Sequence, residues 1–294
     1  MKTILVPSDF SYVSLKALEV ALSLASQLNA RLLLCHVYRD VPIMLGPMFT
    51  LPVSEDRQEY LVRLKQQAKV ARLDKQVMVP IRYLVRSGDT IRELLHVIEE
   101  KEVDLVVMGT QQGPSFLDKL FGSTTEQLLR LSPCPVLAVP ENTRIRELRK
   151  IVYASDLEPD NKSVMQQLFR LKSLITAAIT VLHVKTDTEA TSGLKDDLKA
   201  SLFDDFAGND FSFVQVYNRH ISAGIVKYAK KHHIDIIAFA EEHRNNWDSL
   251  RLASTSGMLL YALDVPVLAM PKQPGGLVSS SSSEKQDEVG KDFF

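Results

Sequence analysis

Two hydrophobic patterns alternate along the chain. Short runs of consecutive apolar, often β-branched residues fall near 3–8, 31–37, 77–85, 103–108 and 136–139, and again near 150–155, 178–184, 211–217, 234–240 and 265–270. Unbroken runs of this length suit strands covered on both faces of a parallel sheet. Between them the apolar positions take helical spacing: Leu15, Leu18, Leu22 and Ala25, then Leu61, Leu64, Ala68 and Ala71, then Ile91, Leu94, Leu95 and Ile98. Such alternation of strand and helix predicts a parallel sheet with right-handed crossovers and helices on both faces.

The pattern is written twice. Ile4-Leu5-Val6-Pro7-Ser8-Asp9 is matched by Ile151-Val152-Tyr153-Ala154-Ser155-Asp156, and Leu34-Cys35-His36-Val37 by Val181-Leu182-His183-Val184, both at an offset of 147. Asp104-Leu105-Val106-Val107-Met108-Gly109 is matched by Asp235-Ile236-Ile237-Ala238-Phe239-Ala240, and Pro135-Val136-Leu137-Ala138-Val139-Pro140 by Pro266-Val267-Leu268-Ala269-Met270-Pro271, both at 131. The missing 16 residues come out of the middle, where copy one carries an extra segment from Asp40 to about Val53. The predicted fold is therefore α/β, two tandem doubly wound five-stranded parallel-sheet domains of Rossmann-like type. Copy one spans 1–145 and copy two 149–271, with a short charged linker between them. Residues 272–294, with five serines in a row, have a composition too polar to offset ordering and read as a disordered tail.

Composition narrows the function. Hydrophobic residues make up 45% and charged residues 24% of the chain, enough for each copy to bury a core. The formal net charge of −1 gives no basic excess for nucleic acid. No apolar run reaches the ~18–20 residues of a membrane span, and a chain that enters a strand at Thr3 leaves no room for a signal peptide. The reading is cytoplasmic, without nucleic-acid or membrane partners. Cys35 and Cys134 are too few for a disulfide framework and read as structural thiols.

Open doubly wound sheets bind ligands beyond the carboxyl ends of their strands. Pro7-Ser8-Asp9 closes the first strand of copy one, where Asp9 can cap the next helix or accept hydrogen bonds from a sugar or base edge. Gly109-Thr110-Gln111-Gln112-Gly113 closes the fourth, and Gly122-Ser123-Thr124 opens the helix after it. Glycines let a backbone approach an anion, and a helix N-terminus supplies donors. The plainer alternative leaves Gly109 and Gly113 as turn formers and Ser123 as a cap. Neither a P-loop lysine nor a dinucleotide fingerprint is present.

Together, Ile4-Leu5-Val6-Pro7-Ser8-Asp9, Asp104-Leu105-Val106-Val107-Met108-Gly109, Gly122-Ser123 and Pro133-Cys134-Pro135-Val136-Leu137 resemble the universal stress protein family, as a tandem pair. The resemblance implies ATP or a related nucleotide at copy one, with Mg2+ as a companion, in a stress-related regulatory or protective role. It places Asp9 at the adenosine part, the main chain of Val37 at the base, and Gly109, Gly122, Ser123 and Thr124 around ribose and phosphates. Pro7, Ser8, Met108 and Gly113 join the same cofactor-binding set. Where the family carries its middle glycine this chain has Gln112, with Gly113 one place late.

Copy two departs further: Ala240 replaces Gly109, His243 replaces Gln112 and Ala253 replaces Gly122. Methyl groups at both glycine positions obstruct phosphate, so copy two reads as a structural partner that does not bind ATP in this manner. Four of its histidines, His220, His232, His233 and His243, make a metal site conceivable, but the neighbours His232 and His233 diverge at a helix end, where cations are favourable anyway. The apolar stretch from Val41 to Phe49 reads as a loop packed on its own domain or a partner, or as a lid over the cleft. Three functions stay open: a nucleotide-binding stress protein, an interaction module of the same fold whose copies pair through the strands near 136–139 and 265–270, and a nucleotide hydrolase or transferase. A homodimer of the tandem chain is left open by the sequence.

Overall fold

The computed structural model describes residues 2–39, 43–46, 49–51, 57–73, 78–110, 123–143, 148–157, 161–172, 177–186, 203–241 and 264–271. In copy one, β1 (Thr3–Pro7), α1 (Tyr12–Leu28) and β2 (Arg31–Tyr38) are followed by a small hairpin of β3 (Ile43–Gly46) and β4 (Phe49–Leu51). Next come α2 (Arg57–Arg72), β5 (Ile81–Ser87), α3 (Thr90–Glu100), β6 (Leu105–Thr110), α4 (Ser123–Leu131) and β7 (Val136–Pro140). Copy two supplies β8 (Lys150–Ala154), α5 (Asn161–Lys172), β9 (Ala178–Lys185), β10 (Ser212–Tyr217), α6 (Ile221–His232), β11 (Ile236–Glu241) and β12 (Val267–Pro271).

Ten of these strands form one sheet in the order β10-β9-β8-β11-β12-β7-β6-β1-β2-β5. All neighbours run parallel except β12 and β7, which pair antiparallel. The seam register is Val267 to Ala138, Leu268 to Leu137 and Ala269 to Val136. At the 131-residue offset Leu137 and Leu268 are equivalent, so a pseudo-twofold axis passes between them. The two edge strands that an isolated copy would leave open close on each other. One core cluster joins α1 and α5 residues, among them Leu18, Leu22, Val164 and Met165, on one side of the sheet. The other joins Leu94 and Val97 of α3, Leu128 of α4 and Ile225 of α6 on the opposite side. Both clusters cross the seam.

The structure departs from the sequence expectations in three places. The stretch from Val41 to Phe49 contributes to an antiparallel hairpin, with a register shift between Met44 and Gly46, where a loop was expected. The strand expected from 77 begins at Ile81, because Pro80 has no N–H for the ladder and instead offers its carbonyl to the Leu32 amide (2.9 Å). The outer strands β5 and β10 are mostly half-buried or exposed, where continuously buried strands were expected; of their residues Val85 alone is buried. The expected tail at 272–294 lies outside the described residues.

Candidate functional site

The first strand of copy one passes to its helix through a tight turn. Phe10 adopts a left-handed conformation (φ 64°), and its amide donates to Ser8 Oγ (3.1 Å). Ser11, with extended backbone, is the N-cap of α1 and accepts from the Ser14 amide (3.2 Å). Asp9 is therefore not the cap. Its Oδ1 accepts from the Ser11 amide (3.0 Å) and from Ser11 Oγ (2.5 Å), bracing the capping residue from outside. Partial burial pushes the Asp9 carboxyl up, but the bonds from Ser11 outweigh it and hold the group below its ordinary value.

A polar network sits under the turn. The Gln67 amide of α2 spans two hydroxyls: Ser8 Oγ donates to its Oε1 (2.6 Å), and its Nε2 donates to Ser14 Oγ (3.0 Å). His36, at the end of β2, bonds through Nδ1 to the Ser8 carbonyl (2.7 Å). A carbonyl only accepts, so Nδ1 carries the proton. The His36 ring also packs on Phe10 and Tyr60, each 4.5 Å away by centroid, and the Arg63 guanidinium lies 4.0 Å over the Phe10 ring.

Copy two repeats this turn. Leu157 is left-handed (φ 62°), its amide donates to Ser155 Oγ (3.0 Å), and His183 Nδ1 bonds to the Ser155 carbonyl (3.0 Å). A difference lies beneath it. Tyr153 stands where copy one has Val6, and it is fully buried. Desolvation, with Asp156 nearby, pushes its phenol well above its usual value.

Beyond the carboxyl ends of β1, β2 and β6 lies a cavity of about 340 Å³. It opens at the switch point between β1 and β6, on either side of which the crossover helices cover opposite faces. Of the site residues expected from sequence, Pro7, Ser8, Asp9, Val37, Met108, Gly109 and Thr124 line it together. Ser123 begins α4. Gly113 and Gly122, with Gln112, lie outside the described residues. The cavity adds Ser14, Cys35, His36, Thr90 and Thr125 as groups the sequence reading did not assign to a site. His36 was visible as a repeat landmark, and Thr90 follows the Gly88-Asp89 start signal of α3. Thr125 is buried, and its hydroxyl ties α4 to the Gly109 carbonyl (3.4 Å). Burial raises the Cys35 thiol to about 12, leaving it protonated at neutral pH.

Gly109 has a reason of its own. A Cβ there would lie 2.3 Å from the Val13 carbonyl oxygen, so the first turn of α1 packs directly on the β6 backbone. The glycine is required by helix-on-strand packing, whatever occupies the cavity. A larger cavity, about 630 Å³, opens at the opposite strand ends near the seam, between Ile4, Leu28, Leu171, Leu268 and Cys134. It lacks the convergence of turn, hydroxyls and helix start found at the smaller one.

Comparison with known proteins supports the fold and its duplication. The family model described as the universal stress protein family matches residues 1–140 and again 147–271. The chain belongs to the universal stress protein family. Universal stress protein A homolog 1 of Coxiella burnetii is 32% identical over 139 residues, covering 47% of this chain and 95% of that relative. A universal stress protein of Methanocaldococcus jannaschii is 31% identical over 144 residues, covering 47% and 81%. Each such relative therefore corresponds to about half of this tandem universal stress protein. The crystal structure of a universal stress protein from Archaeoglobus fulgidus superposes with a TM-score of 0.64 at 19% identity, covering 92% of this chain and 96% of that one. The shared fold thus extends over both copies. Among the described residues, no helix is long and apolar enough to cross a membrane, and no three His, Cys, Asp or Glu side chains are grouped to hold a metal ion.

Proposed function

We propose that copy one of this stress-response protein binds a mononucleotide of the ATP or AMP class, and that the chain acts in the cytoplasm as a nucleotide sensor and not as an enzyme. The observation that carries the reading is the cavity at the β1–β6 switch point, where the Asp9 turn, the end of β2 and the start of α4 converge. Its volume of about 340 Å³ lies near the lower end of the ~300–1,000 Å³ range of small-molecule sites, which favours one nucleotide over a dinucleotide. In this reading the Asp9 carboxylate accepts from ribose or base, and the Val37 main chain meets the base edge. Pro7, Ser8 and Met108 form walls. The Gly109 strand end and the N-terminus of α4 face the phosphates, and the family resemblance assigns Gly113, Gly122, Ser123 and Thr124 to the same cofactor-binding set. Mg2+ would be held chiefly by phosphate oxygens and water.

Titration calorimetry with ATP and AMP, with and without Mg2+, tests the reading beside Asp9→Asn. The expected result is saturable binding, weakened about tenfold or more in the variant through loss of a charged acceptor. No binding at millimolar ligand by the wild-type chain rejects it. One observation favours the alternative of an interaction scaffold without ligand: Asp9 Oδ1 is already engaged by Ser11. Mass spectrometry of freshly purified, denatured protein separates the two, since a retained nucleotide excludes the empty scaffold.

A further inference from the structure

One corner of the fold is built twice and charged differently each time. In copy one it ends α3: Glu102 is left-handed (φ 48°), the Val103 amide donates to the Ile98 carbonyl (3.0 Å), and Asp104 Oδ2 accepts the Thr3 amide (2.8 Å). In copy two it ends α6: His233 is left-handed (φ 52°), and the Ile234 amide donates to the Ala229 carbonyl (3.2 Å). There Asp235 Oδ2 accepts the Arg149 and Lys150 amides (2.9 and 2.8 Å). At the 131-residue offset Glu99, Glu100, Lys101 and Glu102 correspond to Lys230, Lys231, His232 and His233. Backbone and hydrogen bonds are kept while three carboxylates give way to two ammonium groups and an imidazole.

Cations at a helix C-terminus are favourable in general. Copy one shows that this corner closes with acids there, so the fold does not demand the lysines. They gather neighbours. Lys227 lies one turn before Lys231 on the same face of α6, and Lys150 Nζ donates to the His232 carbonyl (3.0 Å), which brings the start of β8 to the helix end beside Arg149. All five cations are exposed, and Lys227, Lys230 and Lys231 form no ion pair among the described residues.

We propose that Arg149, Lys150, Lys227, Lys230 and Lys231 form a docking surface for a short acidic segment of a partner protein. The chemistry of the corner selects this occupant. Four of the five cations are lysines, compact point charges on flexible stems that pair with scattered carboxylates without the planar fork an arginine would impose. Among the described residues of the corner, the Tyr228 ring is covered by His232 at 4.2 Å and offers no open stacking platform for nucleobases. Apart from these five cations the chain has fewer basic than acidic residues, so it offers no wider basic excess to an extended anionic sheet or duplex. A segment no larger than the corner meets mainly the cations, since charges beyond a Debye length of ~8 Å are screened at physiological salt.

The test is fluorescence anisotropy of a labelled octaglutamate peptide with the full chain near ~0.15 M ionic strength. Saturable binding that weakens with added salt is expected. The triple variant Lys227→Glu, Lys230→Glu, Lys231→Glu is expected to weaken it about tenfold or more, with an unchanged circular dichroism spectrum. Glu99→Gln with Glu102→Gln, at the equivalent corner of copy one, is expected to leave it unaltered. Absent binding, or equal binding by the triple variant, overturns the proposal. Tighter binding of an octanucleotide or of phosphatidylserine vesicles overturns the choice of partner. So does charge-dependent self-association in sedimentation, which would assign the acid corner of a second chain.

Discussion

At residue scale, Gly109 shows how a motif glycine can serve packing before it serves a ligand. An added Cβ would stand only 2.3 Å from the Val13 carbonyl oxygen, so Gly109→Ala must displace α1 from β6. The expected cost is about 1–3 kcal/mol, the range for overpacking, read as a lowered urea midpoint with an unchanged slope. Asp9 gives a prediction with a sign. Its carboxyl is held below its ordinary value in the folded chain, so the unfolded chain binds more protons as the solution is acidified. Its contribution is complete above about pH 5 and is lost as pH falls through the ordinary carboxylate range near ~3.9 toward the folded value. The stability difference between wild type and Asp9→Asn should hold above about pH 5 and shrink from there toward pH ~3 in urea titrations. A difference that grows on acidification would contradict the assigned hydrogen bonds.

At the scale of elements, α1 is the part that organises the site. Its start depends on Ser11, which caps the helix and supplies both donors to Asp9. Ser11→Ala is expected to cost about 1 kcal/mol, and loss of the Oγ donor should move the Asp9 carboxyl back toward its ordinary value. Two-dimensional NMR titration of the carboxyl would show this. That Ser11, and not Asp9, is the cap could not be read from Asp9-Phe10-Ser11 alone. Both residue types cap well, and the choice is made by the left-handed Phe10 between them. The strands were legible because each is an apolar run bounded by turns. The hairpin of β3 and β4 was not, because two short apolar pieces around Gly46-Pro47 carry no clear period. His36 was located by its repeat at His183, yet its role stayed hidden, since its partner is the main-chain carbonyl of Ser8. The packing reason for Gly109 was equally out of reach, because Val13 is 96 residues away in sequence.

At the scale of the whole molecule, the seam makes two copies into one body. Leu137 and Leu268 face each other at its centre and are almost wholly buried. Leu137→Lys buries an unpaired ammonium there and is expected to destabilise by about 3–5 kcal/mol. Calorimetry should show the single unfolding transition of the wild type splitting in two as the copies part. The antiparallel seam also decides which way things point. Copy two is inverted with respect to copy one, so the carboxyl ends of β1 and β6 and the amino end of β8 lie along the same long edge of the sheet. Five strand intervals separate β1 from β8, roughly 24 Å or more along that edge. A ligand entering the first copy and a protein gripping the lysine-rich helix end of the second would approach from one side. Had the copies been joined in parallel, they would have arrived from opposite sides and never met.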